Sequence, residues 1–265
     1  MAFSSDTSAE PEPLVSLRDV EVSYGGRPAL GPFSLDLKPE RALALVGPSG
    51  CGKSTALRLA AGLERPARGE AARRLDPGET AMVFQAPTLA PWSSALDNVA
   101  LPLLLCGLEL QEARRRASKA LERVGLGAAQ TLKPRQLSGG MAMRVSLARA
   151  LASNPRLVLM DEPFAALDEI TRRNLADDVQ RLWSAARPAL LFVTHSVEEA
   201  VYMADEVIVM APSPGRETAR FAIDAPWPRP AHFRTTPLFR ETVENISGAL
   251  EAAMSVQVPV KTGDS

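Results

Sequence analysis

Nine consecutive residues, Gly47, Pro48, Ser49, Gly50, Cys51, Gly52, Lys53, Ser54 and Thr55, carry the clearest chemistry in the chain. They fit Gly-x-x-x-x-Gly-Lys-Ser/Thr, a pattern that wraps phosphates when a strand precedes it and a helix follows. Glycines at 47, 50 and 52 let backbone N–H groups turn inward on phosphate oxygens, and the following helix adds its positive end. Lys53 then reaches the outer phosphates, and the Ser54 hydroxyl is placed to ligate Mg²⁺. A second charged site is the pair Asp161-Glu162 in LVLMDEP, at the carboxyl end of a buried strand, where ligands gather in open α/β sheets. Adjacent carboxylates there call for a cation: Asp161 suits Mg²⁺, usually through water, and Glu162 can polarise a water that attacks a terminal phosphate. A Gly-rich turn and a solvated acidic turn are the plainer readings of the same residues. Cys51 sits near a helix N-terminus and beside Lys53, surroundings that lower a thiol pKa. Simple filling of a tight loop is the commoner role for such a residue.

These groups need strands to hold them at one edge and helices to cover the strands. ALALV (Ala42 to Val46), RLVLM (Arg156 to Met160) and ALLFV (Ala189 to Val193) are short apolar runs that suit strands buried on both faces of a parallel sheet. Helical segments separate them at Ser54 to Leu63, Leu110 to Val124, Met141 to Ala152 and Ile170 to Ala186, an α/β alternation. VSLRDVEVSY alternates like a half-buried strand and ends at a Gly25-Gly26 turn, so an antiparallel edge opens the fold. Ser196 and Glu199 have capping-box spacing for a helix after His195. Proline punctuation from Ala225 to Pro237 marks the expected end of the core.

The 265 residues, 46% of them hydrophobic, suffice for one domain with lobes. Thirty Lys+Arg against 31 Asp+Glu give a formal charge of -1, which excludes the broad positive field of a non-specific nucleic-acid binder but leaves room for local basic patches. No apolar run approaches the ~20 residues of a membrane span; the longest, around Val99 to Leu108, contains Pro102 and Gly107. The first 13 residues lack the features of a secretory signal and read as a disordered leader of a cytoplasmic protein. Two cysteines, Cys51 and Cys106, make neither a disulfide framework nor a metal cluster.

The segment LSGGM (Leu137 to Met141) followed by RVSLARAL resembles the signature of ATP-binding-cassette ATPases. Tyr24 in VEVSYGG, Gln85 in VFQ, Ala165 to Asp168 before a helix, and His195 in VTHS match the family's other motifs in order, so the resemblance covers residues 14 to 215. It implies an α/β P-loop NTPase core, a mostly parallel sheet with flanking helices, carrying an antiparallel β lobe and a helical lobe. The implied boundaries are a leader at 1–13, an ATPase domain at 14–225 with its helical lobe at about 86–150, and a Pro-rich extension at 226–265. By the same resemblance Tyr24 stacks on adenine, Gln85 contacts Mg²⁺ or the attacking water, and His195 contacts the γ-phosphate with Glu162. Ser138, Gly139 and Gly140 open a helix whose N–H groups suit an anion. One phosphate loop already surrounds the nucleotide, so the family's head-to-tail homodimer is implied, with two ATPs between subunits and Asp168 in the nucleotide-binding set. Two departures stand out: Met141 replaces the more usual Gln with Ala142-Met143 following, and Gly69 to Gln85 is short for the family, so the β lobe is expected to be trimmed.

LAPWSSALDNVALPL, MADEVIVMAPSPGR and APWPRP lean toward importers of nitrate, sulfonates, taurine and thiamine precursors. That reading implies integral membrane permease subunits docked near Gln85 and the helical lobe, and indirectly a periplasmic or extracellular solute-binding protein. The ATPase would then lie on the cytoplasmic face of the membrane. A soluble cassette acting on DNA or ribosomes is the alternative, opposed by the single cassette, the absence of a long coiled-coil insertion and the neutral charge. A form that binds nucleotide without hydrolysis is opposed by Glu162.

Overall fold

The structure is a computed structural model and describes residues 11–212 and 214–255. Most of the expected leader, the end of the expected C-terminal extension and Ser213 of MADEVIVMAPSPGR lie outside the described residues. In chain order the strands are β1 (Val15–Tyr24), β2 (Arg27–Leu37), β3 (Ala42–Val46), β4 (Arg68–Arg73), β5 (Thr80–Val83), β6 (Leu157–Asp161), β7 (Ala189–Thr194), β8 (Glu206–Ala211) and β9 (Arg216–Ala222). The helices are α1 (Lys53–Ala61), α2 (Ala95–Leu105), α3 (Leu110–Arg123), α4 (Gly139–Leu151), α5 (Glu169–Ala186), α6 (Val197–Met203) and α7 (Pro237–Ser255).

The main sheet has the order β5-β6-β7-β3-β8-β9, parallel except for β9, which closes one edge antiparallel to β8. Successive residues of β3 enter different cores: Ala42, Ala44 and Val46 pack with α5, α6 and α7, whereas Leu43 and Leu45 pack with α1 and the β lobe. The two-fold alternation of a strand covered on both faces explains why ALALV carries no polar residue. The β lobe is the antiparallel sheet β2-β1-β4. Its hairpin turns at Gly25 and Gly26, both at positive φ (55° and 78°), which a two-residue turn of this twist requires. Only residues 74–79 separate β4 from β5 in the main sheet, so the short Gly69–Gln85 stretch supplies one strand to each sheet.

The helical lobe has a core of its own, where Val99 and Leu103 of α2 meet Ala113, Ala117 and Leu121 of α3. The lobe is joined to the sheet through α4, whose Val145 and Ala148 enter that core while Met143 and Leu147 enter the sheet's core. The apolar run around Val99 is therefore α2, capped by Ser94 Oγ accepting from Asp97 N, and no described helix is long and apolar enough to cross a membrane.

The core does not end at Ala225 as the prolines suggested. Ile223, Phe233, Phe239, Ile246 and Ala253 are buried in the same core as Phe192 and Val209. The last of these lie on α7, started by Thr236 Oγ1 accepting from Phe239 N and by Pro237 at the first helical position.

Candidate functional site

The phosphate loop lies between β3 and α1, where space and backbone both demand glycine. A Cβ on Gly47 would lie 2.6 Å from Cys51 Sγ and 2.8 Å from the Met210 carbonyl, and Gly52 has φ 88° with the Ala29 carbonyl 2.6 Å from a Cβ position. Lys53 begins α1 and is buried; its Nζ donates to the carbonyls of Gly47 (2.8 Å) and Pro48 (3.0 Å) and lies 4.0 Å from Glu162 Oε1. The next side chain, Ser54, donates from Oγ to Asp161 Oδ1 at 3.0 Å. Both acidic residues of LVLMDEP thus face the loop, because β6 and β3 are parallel and separated only by β7.

Glu162 adopts φ 45°, left-handed backbone for a residue with a Cβ. The conformation is held by its N–H donating to Val193 O at 3.0 Å, from the neighbouring β7. Strain of this kind concentrates at working sites and persists only where the surroundings enforce it. The turn aims the carboxylate between Lys53 and His195, whose Nδ1 is 3.3 Å from Glu162 Oε2.

His195 follows β7 on a turn that the sequence reading only partly resolved. Glu199 N donates to Ser196 Oγ (3.3 Å), the first half of a capping box. The Glu199 carboxylate does not return to Ser196 N; it accepts from Thr194 Oγ1, which in turn accepts from Ser196 N at 3.0 Å. Burial pushes the Glu199 carboxyl above its ordinary value, against the opposing pull of Thr194 and Arg172.

Two further residues take plain structural roles. Cys51 is fully buried under the loop, and burial raises its pKa more than Lys53 lowers it, which favours the loop-filling role over a reactive thiol. Asp168 caps α5, its Oδ1 accepting from Thr171 N at 3.0 Å, and that hydrogen bond holds its carboxyl below the usual range.

The remaining residues lie outside this cluster. Tyr24, at the end of β1, is exposed, and its hydroxyl donates to Glu64 Oε2. Gln85 stands exposed two residues beyond the end of β5, the strand beside β6, and makes no side-chain hydrogen bond among the described residues. Ser138 caps α4 by accepting from Met141 N at 3.2 Å, and a Cβ on Gly140 would lie 2.7 Å from Thr171 of α5. No hydrogen bond joins Ser138, Gly139 or Gly140 to the phosphate loop among the described residues. Met141 instead packs against the helical-lobe core, which accounts for an apolar residue there.

Two contributors carried no local signal. Arg149 of α4 donates to Pro87 O (3.0 Å) and Thr88 O (2.9 Å), pinning the loop that follows Gln85. Asn98, buried in α2, accepts from Ala90 N and donates to Ser93 O, fixing the next stretch of that loop.

The model of the family described as ABC transporter matches residues 30–165. A putative ATP-binding protein of Brucella abortus biovar 1 (strain 9-941) is 42% identical over 233 residues, 86% of this chain and 90% of that one. The taurine import ATP-binding protein TauB of Escherichia coli strain K12 is 41% identical over 216 residues, 80% of this chain and 85% of that one. Among solved structures, the dimeric post-hydrolysis state of the ATP-binding cassette MJ0796 bound to ADP and Pi is 31% identical with a TM-score of 0.68, covering 80% of this chain and 99% of that chain. Strand order alone could not separate phosphate-binding folds, but likeness over this length does. The chain belongs to the ABC transporter family, as one of its ATP-binding, ATP-hydrolysing cassettes.

Proposed function

We propose that this cassette is the energy-coupling subunit of an importer and that Glu162 is its general base. The observation that carries the reading is the strained Glu162 carboxylate, 3.3 Å from His195 Nδ1 and 4.0 Å from Lys53 Nζ. Glu162 accepts a proton from water as the water oxygen bonds to the γ-phosphorus. The bond to the β–γ bridging oxygen breaks, and ADP leaves with the electron pair. His195 orients the water and contacts the γ-phosphate, while Lys53 and the N–H groups of the 47–55 loop neutralise developing charge. Ser54 and Asp161 offer hard oxygen donors 3.0 Å apart, which fits Mg²⁺ completed by phosphate oxygens and water. Bound there, the ion would neutralise phosphate charge. By the family resemblance Gln85 would contact the same cation or the attacking water, and Tyr24 would stack on adenine.

In this reading two subunits meet head to tail. Ser138, Gly139 and Gly140 at the N-terminus of α4 close over the γ-phosphate of the partner's ATP, with Asp168 at the same seam. Phe84, Trp92, Leu101, Leu105 and Leu110 are exposed around the loop after β5 and on the helical lobe, and they form the contact for membrane-spanning permease subunits. Placement on the cytoplasmic face follows from that contact. The taurine-import relatives and the segments around Trp92 and Trp227 support a small solute of the sulfonate class, delivered from outside by a binding protein.

The test is size-exclusion chromatography with light scattering on Glu162→Gln, with and without Mg-ATP. ATP held without hydrolysis should accumulate dimer, because ligand that bridges subunits drives assembly by mass action. Adding Ser138→Arg should return the protein to monomer. A dimer indifferent to Ser138→Arg, in the isolated subunit and in the assembled transporter, removes the cross-subunit site.

A further inference from the structure

A groove of about 710 Å³ opens between α3, the C-terminal end of α4 and the C-terminal half of α5. Its rim carries Arg115, Arg116, Lys119, Arg123 and Arg181 against one lining carboxylate, Asp178, and its floor is apolar, with Val124, Leu151 and Leu182. In a chain of formal charge -1 this is a local concentration of positive charge.

The arrangement along α3 makes the concentration specific. Arg115, Lys119 and Arg123 follow one another at i, i+4 and i+8, so they form a column of like charges about 6 Å apart, an arrangement that disfavours the isolated helix. Arg115 is compensated by Glu112, whose carboxylate also holds Arg116. Lys119 and Arg123 have no acidic partner among the described residues. Across the groove Asp178 is already engaged by Arg144 and Arg181, so it is not free to neutralise them.

We propose that this groove binds a small organic polyanion: a flat apolar body on the Val124–Leu151–Leu182 floor, and at least two negative groups spaced to meet Lys119 and Arg123. The volume matches that of small-molecule sites, which combine an apolar lining with a few placed polar groups. Occupancy is independent of ATP. Asn154 and Pro155 line the groove just before β6 begins, whereas Asp161 and Glu162 stand where β6 ends, so the two sites lie at opposite ends of the strand. The same two helices connect them: α4 starts at Ser138 and α5 at Asp168, and both end in the groove.

Pyrenetetrasulfonate, a fluorescent aromatic polyanion, is the probe, titrated into the intact protein with saturating ADP present. The result expected is saturable binding that ADP does not displace and that weakens as salt is raised. Lys119→Glu with Arg123→Glu should weaken it by at least about tenfold, since two charge-assisted contacts are lost. Arg41→Glu with Arg216→Glu, an equal change in net charge elsewhere on the surface, should leave it within about twofold. The groove substitutions act on exposed side chains; they turn the repulsion between positions 115 and 119 into attraction but keep a like-charged pair at 119 and 123, so the melting temperature should change by no more than about 3 °C, and loss of binding is then not loss of fold. Binding displaced by ADP, binding unchanged by the groove reversal, equal loss in the control variant, or no saturable binding would each overturn the proposal. A neutral pyrene alcohol that binds as tightly would also overturn it, because the charges would then be idle.

Discussion

Glu162 combines the proposed role of general base with a strained backbone, and two substitutions separate them. Glu162→Gln keeps the shape and the left-handed φ of 45° but removes the proton acceptor. Loss of a positioned general base costs on the order of 10²- to 10⁴-fold in turnover, which corresponds to about 2.7 to 5.4 kcal/mol on the barrier. ATP binding should remain, because Lys53, Ser54 and the loop do not need the Glu162 carboxylate to stay in place: Lys53 is held by the Gly47 and Pro48 carbonyls. Glu162→Gly abolishes the chemistry equally but also relieves the backbone. A left-handed residue with a Cβ costs roughly 1–2 kcal/mol, and the extra freedom of glycine in the unfolded chain takes back roughly 0.5–1 kcal/mol. The net is a gain of about 0 to 1.5 kcal/mol, or a melting temperature raised by up to about 5 °C in a domain of this size. Steady-state ATPase rates, nucleotide titration and thermal melts of the three proteins check both halves. Near-wild-type hydrolysis by Glu162→Gln removes Glu162 from the chemistry. A Glu162→Gly melt several degrees below wild type would mean that the carboxylate's contacts outweigh the strain, and the trade of stability for function at this turn would be refuted.

Three further outcomes follow from burial. Iodoacetamide on the native protein should modify exposed Cys106 well before buried Cys51, whose raised pKa also keeps the thiol protonated; mass spectrometry showing equal rates would contradict this. The folded-state pKa of Glu199 lies above its unfolded value, so its ionisation destabilises the fold as pH rises through that window. Glu199→Gln should therefore gain stability relative to wild type from pH 4.5 upward, as read from paired melts, and a constant difference across pH would refute the assignment. Arg229 is buried, its pKa is pushed down to about 10 by desolvation, and its Nε and Nη2 lack partners, so Arg229→Met should stay within about 1 kcal/mol of wild type. Arg229→Ala should cost about 2 kcal/mol or more through the cavity it leaves, and the reverse order in denaturant melts would show that the charge itself is needed.

What could be read from the sequence was chemistry fixed by local spacing and strands fixed by double burial. Ser54, Asp161 and Glu162 stood out because a phosphate loop and a strand-terminal carboxylate pair have few other uses together, and the structure does bring the pair against the loop, Asp161 at Ser54 and Glu162 at Lys53. The strands β3 and β7 were legible because every residue in each is buried. Elements with one exposed face and no alternation were not: β4 reads RGEAAR and β9 RETARFA, edge strands defined by partners far along the chain. The helix α7 did carry signals, Thr236-Pro237 at its start and apolar residues at 239, 243, 246, 250 and 253, but the prolines before it drew attention as an ending. The positive φ of Glu162 and the inverted pKa of Cys51 had no local signature. Each depends on what the fold packs around the residue rather than on its neighbours in sequence.

The C-terminal segment shows why such information is non-local. Its residues reach back to the elements that hold the site instead of trailing from the core. Trp227 Nε1 donates to Asp205 Oδ1, and Asp205 Oδ2 accepts from Ala42 N, the first residue of the strand that leads into the phosphate loop. Arg229 Nη1 donates to Val201 O on α6, the helix that begins just after His195. Arg234 pairs with Asp177 of α5 at 2.8 Å and stacks over the Tyr202 ring of α6, whose hydroxyl donates to the same Asp177. Each bond taken alone stabilises by only about 0.5–1.5 kcal/mol, yet together they tie α5, α6 and the start of β3 to one short stretch of chain. The positions of His195 and of the phosphate loop are thereby set partly by residues that follow the last recognisable motif. A sequence reading that stops where the motifs stop therefore names the candidate reacting groups but omits part of the frame that fixes the distances between them.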